Sequence, residues 1–165
     1  MAEPEVLLSK GRYRARLAGA AADIAAAQAL RTLSFRTDAP DQDGFDAGCT
    51  HVIVEDRQSG AVVCCYRLLV LEGGADLERS YSAQFYDLSA LQGFVGRMAE
   101  MGRFCIHPDW QDPDILRVAW GAMTAFVDAH RVELLFGCSS FAGTETGRYL
   151  DAFAMLKQRH LAPKR

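Results

Sequence analysis

Arg97–Trp110 reads RMAEMGRFCIHPDW, a short apolar strand pattern that carries Glu100 and Arg103 in its middle. An unpaired carboxylate or guanidinium loses its water on burial without compensation, so charges inside a strand lie on a wet face, form a pair, or serve a function. Strict alternation puts Glu100 and Arg103 on opposite faces of the strand. The strand halts at His107-Pro108, because proline has no N–H to give to a ladder.

Outward from this stretch the pattern alternates. Downstream, residues 112–131 (DPDILRVAWGAMTAFVDAHR) open with aspartate and proline and carry Leu116, Ala119, Trp120, Met123 and Phe126 at helical spacing, which predicts a buried amphipathic helix. Residues 132–141 (VELLFGCSSF) read as a further strand. Residues 144–161 (TETGRYLDAFAMLKQRHL) read as a last helix with Leu150, Phe153 and Leu156 turned inward. Upstream, residues 11–19 suit a first strand whose Arg12, Arg14 and Arg16 share a face, and residues 20–36 a helix with Ile24, Ala27, Leu30 and Ser34 along one side and Asp23 near its positive end. TDAPDQDGFDAGC (37–49) has turn residues, four aspartates and no period, so it is an acidic loop. Residues 50–71 form two β-rich segments around Gln58-Ser59-Gly60, a hairpin signal, and residues 72–96 hold at most a helical turn or two. The order β α β β (irregular) β α β α predicts an α/β (α+β) fold with a mixed central sheet flanked by helices, rather than a doubly wound parallel sheet.

With half of its 165 residues apolar, the chain fits one domain over 1–165, with a loose start over 1–10. A formal net charge of −3 supplies no basic field, so nucleic acid is set aside as a partner. The five cysteines are an odd number without zinc-site spacing and read as buried reduced thiols, and the four histidines show no metal-ligand spacing. The N-terminus has acidic residues before a very short apolar run, and no segment approaches the ~18 apolar residues of a membrane span. The expected location is the cytoplasm, with peripheral contact at the inner membrane face as the furthest membrane involvement.

GRYRARLAG, ALRTLSFR, DGFDAGCTHVIV, YRLL, YSAQFYDLSAL, EMGRFCIHPDW and LLFGCSSF, followed by a terminal RHLAP, together resemble the bacterial ornithine N-acyltransferases that make lyso-ornithine lipid. The likeness spans about Gly11 to Pro163 and extends more distantly to the acyl-homoserine-lactone synthases. It implies the GNAT-like acyltransferase fold, with a sheet splayed open between its fourth and fifth strands and the pantetheine arm of a thioester lying in the splay. Main-chain N–H groups near Phe104, Cys105 and Ile106 would then face the thioester carbonyl, where negative charge develops, with Cys138 and Ser139 flanking the opening.

The resemblance also suggests roles for side chains. Glu100 would take the proton of the attacking amine, and a β-bulge would bring Arg103 to the same cleft; alternatively Arg103 is tied to the loop aspartates in a purely structural ion pair. Arg31 and Phe35, four apart on a helix, would bind a carboxylate and line the acyl or amino-acid pocket. Asp43 and Asp46 would favour a bound ammonium, with Arg67 near the site, and Tyr149 would be the general acid for the departing thiolate. For each, a packing or solvated role stays open.

Acetyl-CoA enzymes of this fold carry a glycine-rich turn that binds pyrophosphate at a helix N-terminus. Here that segment is HPDWQDPDILRVAWG, with three aspartates in place of the glycines. The expected donor is a 3-hydroxy fatty acyl group on the phosphopantetheine of acyl carrier protein, with no separate cofactor, and the acceptor is the α-amine of L-ornithine. The arginine face of the first strand and Lys157, Arg159, Lys164 and Arg165 would attract an acidic carrier or anionic lipid. Alternatives are an acyl-homoserine-lactone synthase or another amino-acid N-acyltransferase, and, in another class, a non-catalytic module that binds carrier protein or lipid. The chain ends at RHLAPKR directly after the last expected helix, and is read as short at its C-terminus relative to this family.

Overall fold

The computed structural model describes residues 5–141 and 143–161. Six strands lie in the order β1-β2-β3-β4-β5-β6: β1 Val6–Lys10, β2 Tyr13–Leu17, β3 Thr50–Asp56, β4 Val62–Leu71, β5 Met98–Ile106 and β6 Leu134–Phe136. Neighbours run antiparallel except β5 and β6, which are parallel. A parallel pair needs a long crossover, and helix α2, Pro113–His130, supplies it. Helix α1, Ala21–Phe35, joins β2 to the acidic loop, and α3 spans Leu150–Arg159.

Two apolar layers fix the faces of the sheet. Tyr13, Ala15, Val52, Val54, Tyr66 and Leu68 are buried against Ile115, Ala119, Met123 and Phe126 of α2. On the other side Ile53, Cys65 and Cys105 pack on Ala27 and Leu30 of α1. The period of two along β4 therefore sends Cys64, Tyr66 and Leu68 to α2, and Cys65, Arg67 and Leu69 to the opposite face. Asp112 caps α2 with its side chain on Asp114 N, 2.9 Å, and Pro113 fills the first helical position where an N–H is not needed. Asp23 accepts from Gly19 N and Ala20 N, both 3.1 Å, at the start of α1.

The mixed sheet is the one expected, and several local readings change. The start is not loose over its whole length, since Val6–Lys10 forms β1, turning into β2 at Gly11 with φ +57. Counting β1, the splay lies between β5 and β6. It opens because the parallel register covers only Met98–Glu100 against Leu134–Phe136, while β5 runs on to Ile106. The strand expected over 132–141 is thus three residues long. Residues 72–96 hold short 3-10 turns at Gly74–Arg79, Ser82–Gln84 and Ser89–Leu91.

Leu150, Phe153 and Leu156 do not turn inward: they are 61%, 36% and 45% exposed. Helix α3 packs instead on the turn before it, where Phe141 meets Tyr149 at 4.9 Å and Phe153 at 5.0 Å. Leu116 and Trp120 of α2 are likewise exposed, as is Cys138 among the thiols read as buried. Arg12, Arg14 and Arg16 are not a bare basic face. Arg12 pairs with Asp56 at 2.7 Å, Arg14 with Glu55 at 2.9 Å, and Arg16 with Glu55 and Asp23 at 2.6 and 2.8 Å. Lys164 and Arg165 lie outside the described residues. Among the described residues no helix is long and apolar enough to cross a membrane.

Gly137 sits where β5 and β6 part, and a Cβ there would lie 2.3 Å from the Met101 carbonyl oxygen. The obstacle is main chain, so it cannot rotate away. Gly137→Ala is expected to lower stability by roughly 1–3 kcal/mol, read as a shift of the urea midpoint at unchanged m-value.

Candidate active site

The splay opens into a cavity of about 960 Å³. Its walls come from α1 and the acidic loop (Phe35, Asp41, Phe45, Cys49), from Arg67 and Leu69 of β4, from Tyr81 and Phe85, from Glu100 through Phe104 of β5, from Trp120, and from Cys138–Ser140 after β6.

A β-bulge decides the chemistry of this wall. Cys65 pairs with Cys105 but Arg67 with Gly102, so Arg103 and Phe104 together oppose Tyr66, and Arg103 takes φ +54. The extra residue cancels the alternation: Arg103 shares the Glu100 face, while Phe104 turns to the other side and stacks on Tyr66 at 5.7 Å. Both expected charged residues of the strand therefore line one cavity, as the bulge reading anticipated.

Arg31, Arg67 and Arg103 are matched by Asp41, Asp43 and Asp46. Asp46 accepts from Arg31 at 2.7 Å, Arg67 at 2.6 Å and Gln28 at 3.0 Å. Asp43 holds Arg67 through both oxygens, and Asp41 holds Arg31 at 2.6 Å. Burial opposes the Asp46 charge, yet the bonds from Arg31 and Arg67 outweigh it and hold the carboxyl well below the usual carboxylate range. Burial likewise opposes the Asp43 charge, and Arg67 lowers its carboxyl against that cost. Burial works against the Arg67 charge too, but Asp43 and Asp46 keep the guanidinium firmly protonated. Arg103 is held more loosely, 3.3 Å from Asp41 and 3.4 Å from Asp43, between the rings of Phe35 and Tyr81 at 5.9 and 5.5 Å.

Glu100 is 5% exposed. Its Oε2 accepts from Tyr81 N at 2.7 Å and its Oε1 from Ser82 N at 2.7 Å and Ser82 Oγ at 2.5 Å. The carboxylate thus fastens the turn after Ser80 to β5 and keeps one acceptor site on Oε2. Ser82 Oγ also lies 3.2 Å from Cys138 Sγ. Burial pushes the Cys49 thiol up to about 11.

Other expected residues lie elsewhere. Arg31 is 1% exposed, occupied by two aspartates, and not part of the cavity wall, so it shapes the acidic loop where Phe35 one turn later does line the cavity. Of the Phe104–Ile106 segment only Phe104 is on the wall; Cys105 lies 3.5 Å from Cys65 Sγ, and the Ile106 carbonyl accepts from Ser34 Oγ at 3.3 Å. Cys138 and Ser139 line the cavity, but Tyr149 packs among Phe141 and Phe153 away from it. Sequence reading missed Asp41, whose only signal is its place in the acidic loop, and Ser82, in a span with no period. Among the described residues no group of three His, Cys, Asp or Glu is placed to hold a metal ion.

The family model for the acetyltransferase (GNAT) domain matches residues 27–121, more than half of the chain. The chain belongs to the GNAT acetyltransferase-domain family. Within this family it is related to the L-ornithine N(alpha)-acyltransferases: that of Rhodobacter capsulatus is 33% identical over 92% of this chain and 65% of its own length. The Brucella abortus protein of the same name is 30% identical over 81% and 54%. The chain thus spans less than two thirds of the length of either relative. Two solved GNAT-fold structures are similar in fold. An N-acyl amino acid synthase from uncultured soil microbes has a TM-score of 0.59 at 14% identity, covering 89% of this chain and 78% of that one. An aminoglycoside acetyltransferase from a soil metagenomic sample has 0.57 at 11%, covering 93% and 92%.

Asp46→Ala takes one of two carboxylates from each of two buried guanidinium groups, leaving Asp41 on Arg31 and Asp43 on Arg67, and a loss of about 1.5–3 kcal/mol, the scale of a hydrogen bond to a charged group, is expected. The Asp46 and Asp43 carboxyls titrate lower in the folded GNAT domain than in the unfolded chain, where aspartate titrates near 3.9. Their stabilisation is therefore complete above about pH 5 and is lost as the pH falls through 4 and below. Urea midpoints against pH should decline steeply on the acid side for the wild type and less so for Asp46→Ala.

Proposed function

We propose that this chain transfers a 3-hydroxy fatty acyl group from acyl carrier protein to the α-amine of L-ornithine, giving lyso-ornithine lipid. The observation that carries the reading is the bulged β5, which sets a loosely held Arg103 and the Glu100 carboxylate on one wall of the splay. In this reading Arg103, whose aspartate contacts are long, binds the α-carboxylate of the amino acid. Arg31 and Arg67, already committed, do not. With the three arginines and three aspartates balanced, Glu100 gives the wall a surplus negative charge that suits an ammonium group.

The amine attacks in its neutral form, and Glu100 takes its proton at the open acceptor site of Oε2 or through water. Main-chain donors of β5 past Glu100 have no partner strand on the β6 edge and are available to the thioester oxygen. Support for the donor comes from the start of α2. Asp112 caps it and also accepts from the Tyr13 hydroxyl at 2.8 Å, with Asp109 and Asp114 close in sequence. Burial, then that bond, pushes the tyrosine up to about 12. A helix N-terminus already satisfied by a carboxylate has little to offer a pyrophosphate. A carrier protein would meet an arginine face on β2 that carboxylates largely neutralise, so its docking depends on other cations.

Mass spectrometry after incubation with L-ornithine and 3-hydroxyacyl carrier protein, with acyl-CoA and other amino acids in parallel, tests the reading. An N-acylornithine mass formed with the carrier donor and reduced in Glu100→Gln by roughly 10²–10⁴-fold is expected, as is an Arg103→Ala rise in the KM for ornithine of roughly 10- to 100-fold. Product from homoserine-type substrates alone would favour the synthase alternative. No product from any pair, with carrier protein still bound, would favour the non-catalytic module.

A further inference from the structure

We propose that Cys138, Ser82 and Glu100 form a proton relay in which the Cys138 thiol protonates the departing thiolate, an inference that rests on the acyl-transfer reading above. Cys138 Sγ lies 3.2 Å from Ser82 Oγ, which lies 2.5 Å from Glu100 Oε1. Ser82 and Glu100 are buried, whereas Cys138 is exposed on the cavity wall.

The direction of each bond follows from what the atoms can do. An ionised carboxylate only accepts, so the Ser82 hydroxyl proton is committed to Glu100. Ser82 Oγ then has only lone pairs to offer Cys138, and the thiol donates to it. A thiolate at Cys138 would face those lone pairs instead of a proton. The arrangement thus keeps a donor at this position and suits an acid rather than an attacking nucleophile. It also fills the role expected of Tyr149, which packs against Phe141 and Phe153 outside the cavity.

The step balances. The neutral amine forms the N–C bond, and its nitrogen gives one proton to Glu100. The C–S bond breaks with its electron pair on the carrier sulfur, which takes the Cys138 proton. The carboxyl exchanges its proton from Oε2 to Oε1, the oxygen that Ser82 touches; the Ser82 hydroxyl then turns to the Cys138 thiolate, gives it its proton and receives the one from Glu100. One proton has moved from nitrogen to sulfur, and all three side chains are restored. Cys138 touches the reacting sulfur; Ser82 acts through it.

The test compares two donors bearing the same acyl group, the carrier-protein thioester and an aryl thioester whose leaving thiolate needs no proton. With the carrier donor, Cys138→Ala is expected to lower kcat roughly 100-fold at nearly unchanged KM for ornithine, and Ser82→Ala to do the same. With the aryl donor both losses should vanish. Ser82→Ala keeps the main-chain donors of Tyr81 and Ser82 on Glu100, so the turn stays attached. Iodoacetamide labelling of Cys138, followed by peptide mass, should speed up in Ser82→Ala, which no longer holds the thiol proton. A Cys138→Ala enzyme at the wild-type rate, an equal loss with both donors, or labelling indifferent to Ser82 would overturn the relay while leaving acyl transfer intact. A wild type that forms no amide with any donor would overturn the acyl-transfer reading, and the relay with it.

Discussion

Asp46 holds the site together. Its carboxylate accepts from Arg31 of α1 and Arg67 of β4 at once, so one side chain joins a helix, the acidic loop with its short 3-10 turn at Asp46–Gly48, and a central strand. Charges taken out of water are tolerable only when each finds a partner, and here Asp41 and Asp43 complete the set. The acidic loop, which has no apolar period to anchor it, is thereby fixed as a wall of the cavity. Phe45 is positioned by the same ties, because it stands between Asp43 and Asp46, which the arginines grip.

Against that fixed wall, β5 supplies the adjustable one. An ordinary strand would send Glu100 and Arg103 to opposite faces of the sheet. A single additional residue, at the cost of a left-handed Arg103, puts both on one face and lets Phe104 fill the other against Tyr66. The same strand loses β6 after Glu100, and Gly137, the residue that follows the ladder, passes close to the Met101 carbonyl. Bulge and splay therefore occupy adjacent residues of one strand, which is why the charged side chains open onto the cavity rather than onto solvent.

The mixed sheet, the crossover helix and the hairpin at residues 57–61 were legible because periodicity is a local property of sequence. The charged pair in RMAEMGRFCIHPDW marked the site for a physical reason: two ionisable residues in an apolar strand require an account. What remained hidden depends on partners far along the chain. Nothing local says that Arg31 is spent on Asp41 and Asp46 while Arg103 is held loosely, since both read as arginines beside aromatics. Nor can the Arg12, Arg14 and Arg16 alternation show that Glu55, Asp56 and Asp23 lie across from it. Ser82 carried no periodic signal and entered only within the resembling stretch YSAQFYDLSAL, because its contact with Cys138 lies 56 positions along the chain. The helix at 150–159 misled in the opposite way: its apolar spacing is real, but Phe141 and the turn at Thr146–Tyr149, not the sheet, are what it packs on.

The cavity separates two electrostatic tasks. On the side of α1 and the acidic loop, Arg31 and Arg67 are locked to Asp46 and Asp43, and the two carboxyls are held below their ordinary range by those guanidinium groups against the cost of burial. On the side of β6, Cys138, Ser82 and Glu100 form a short hydrogen-bonded chain. The bulge is what allows both to border one space: Glu100 precedes it and is bonded to Ser82, while Arg103 sits on it and faces the aspartates.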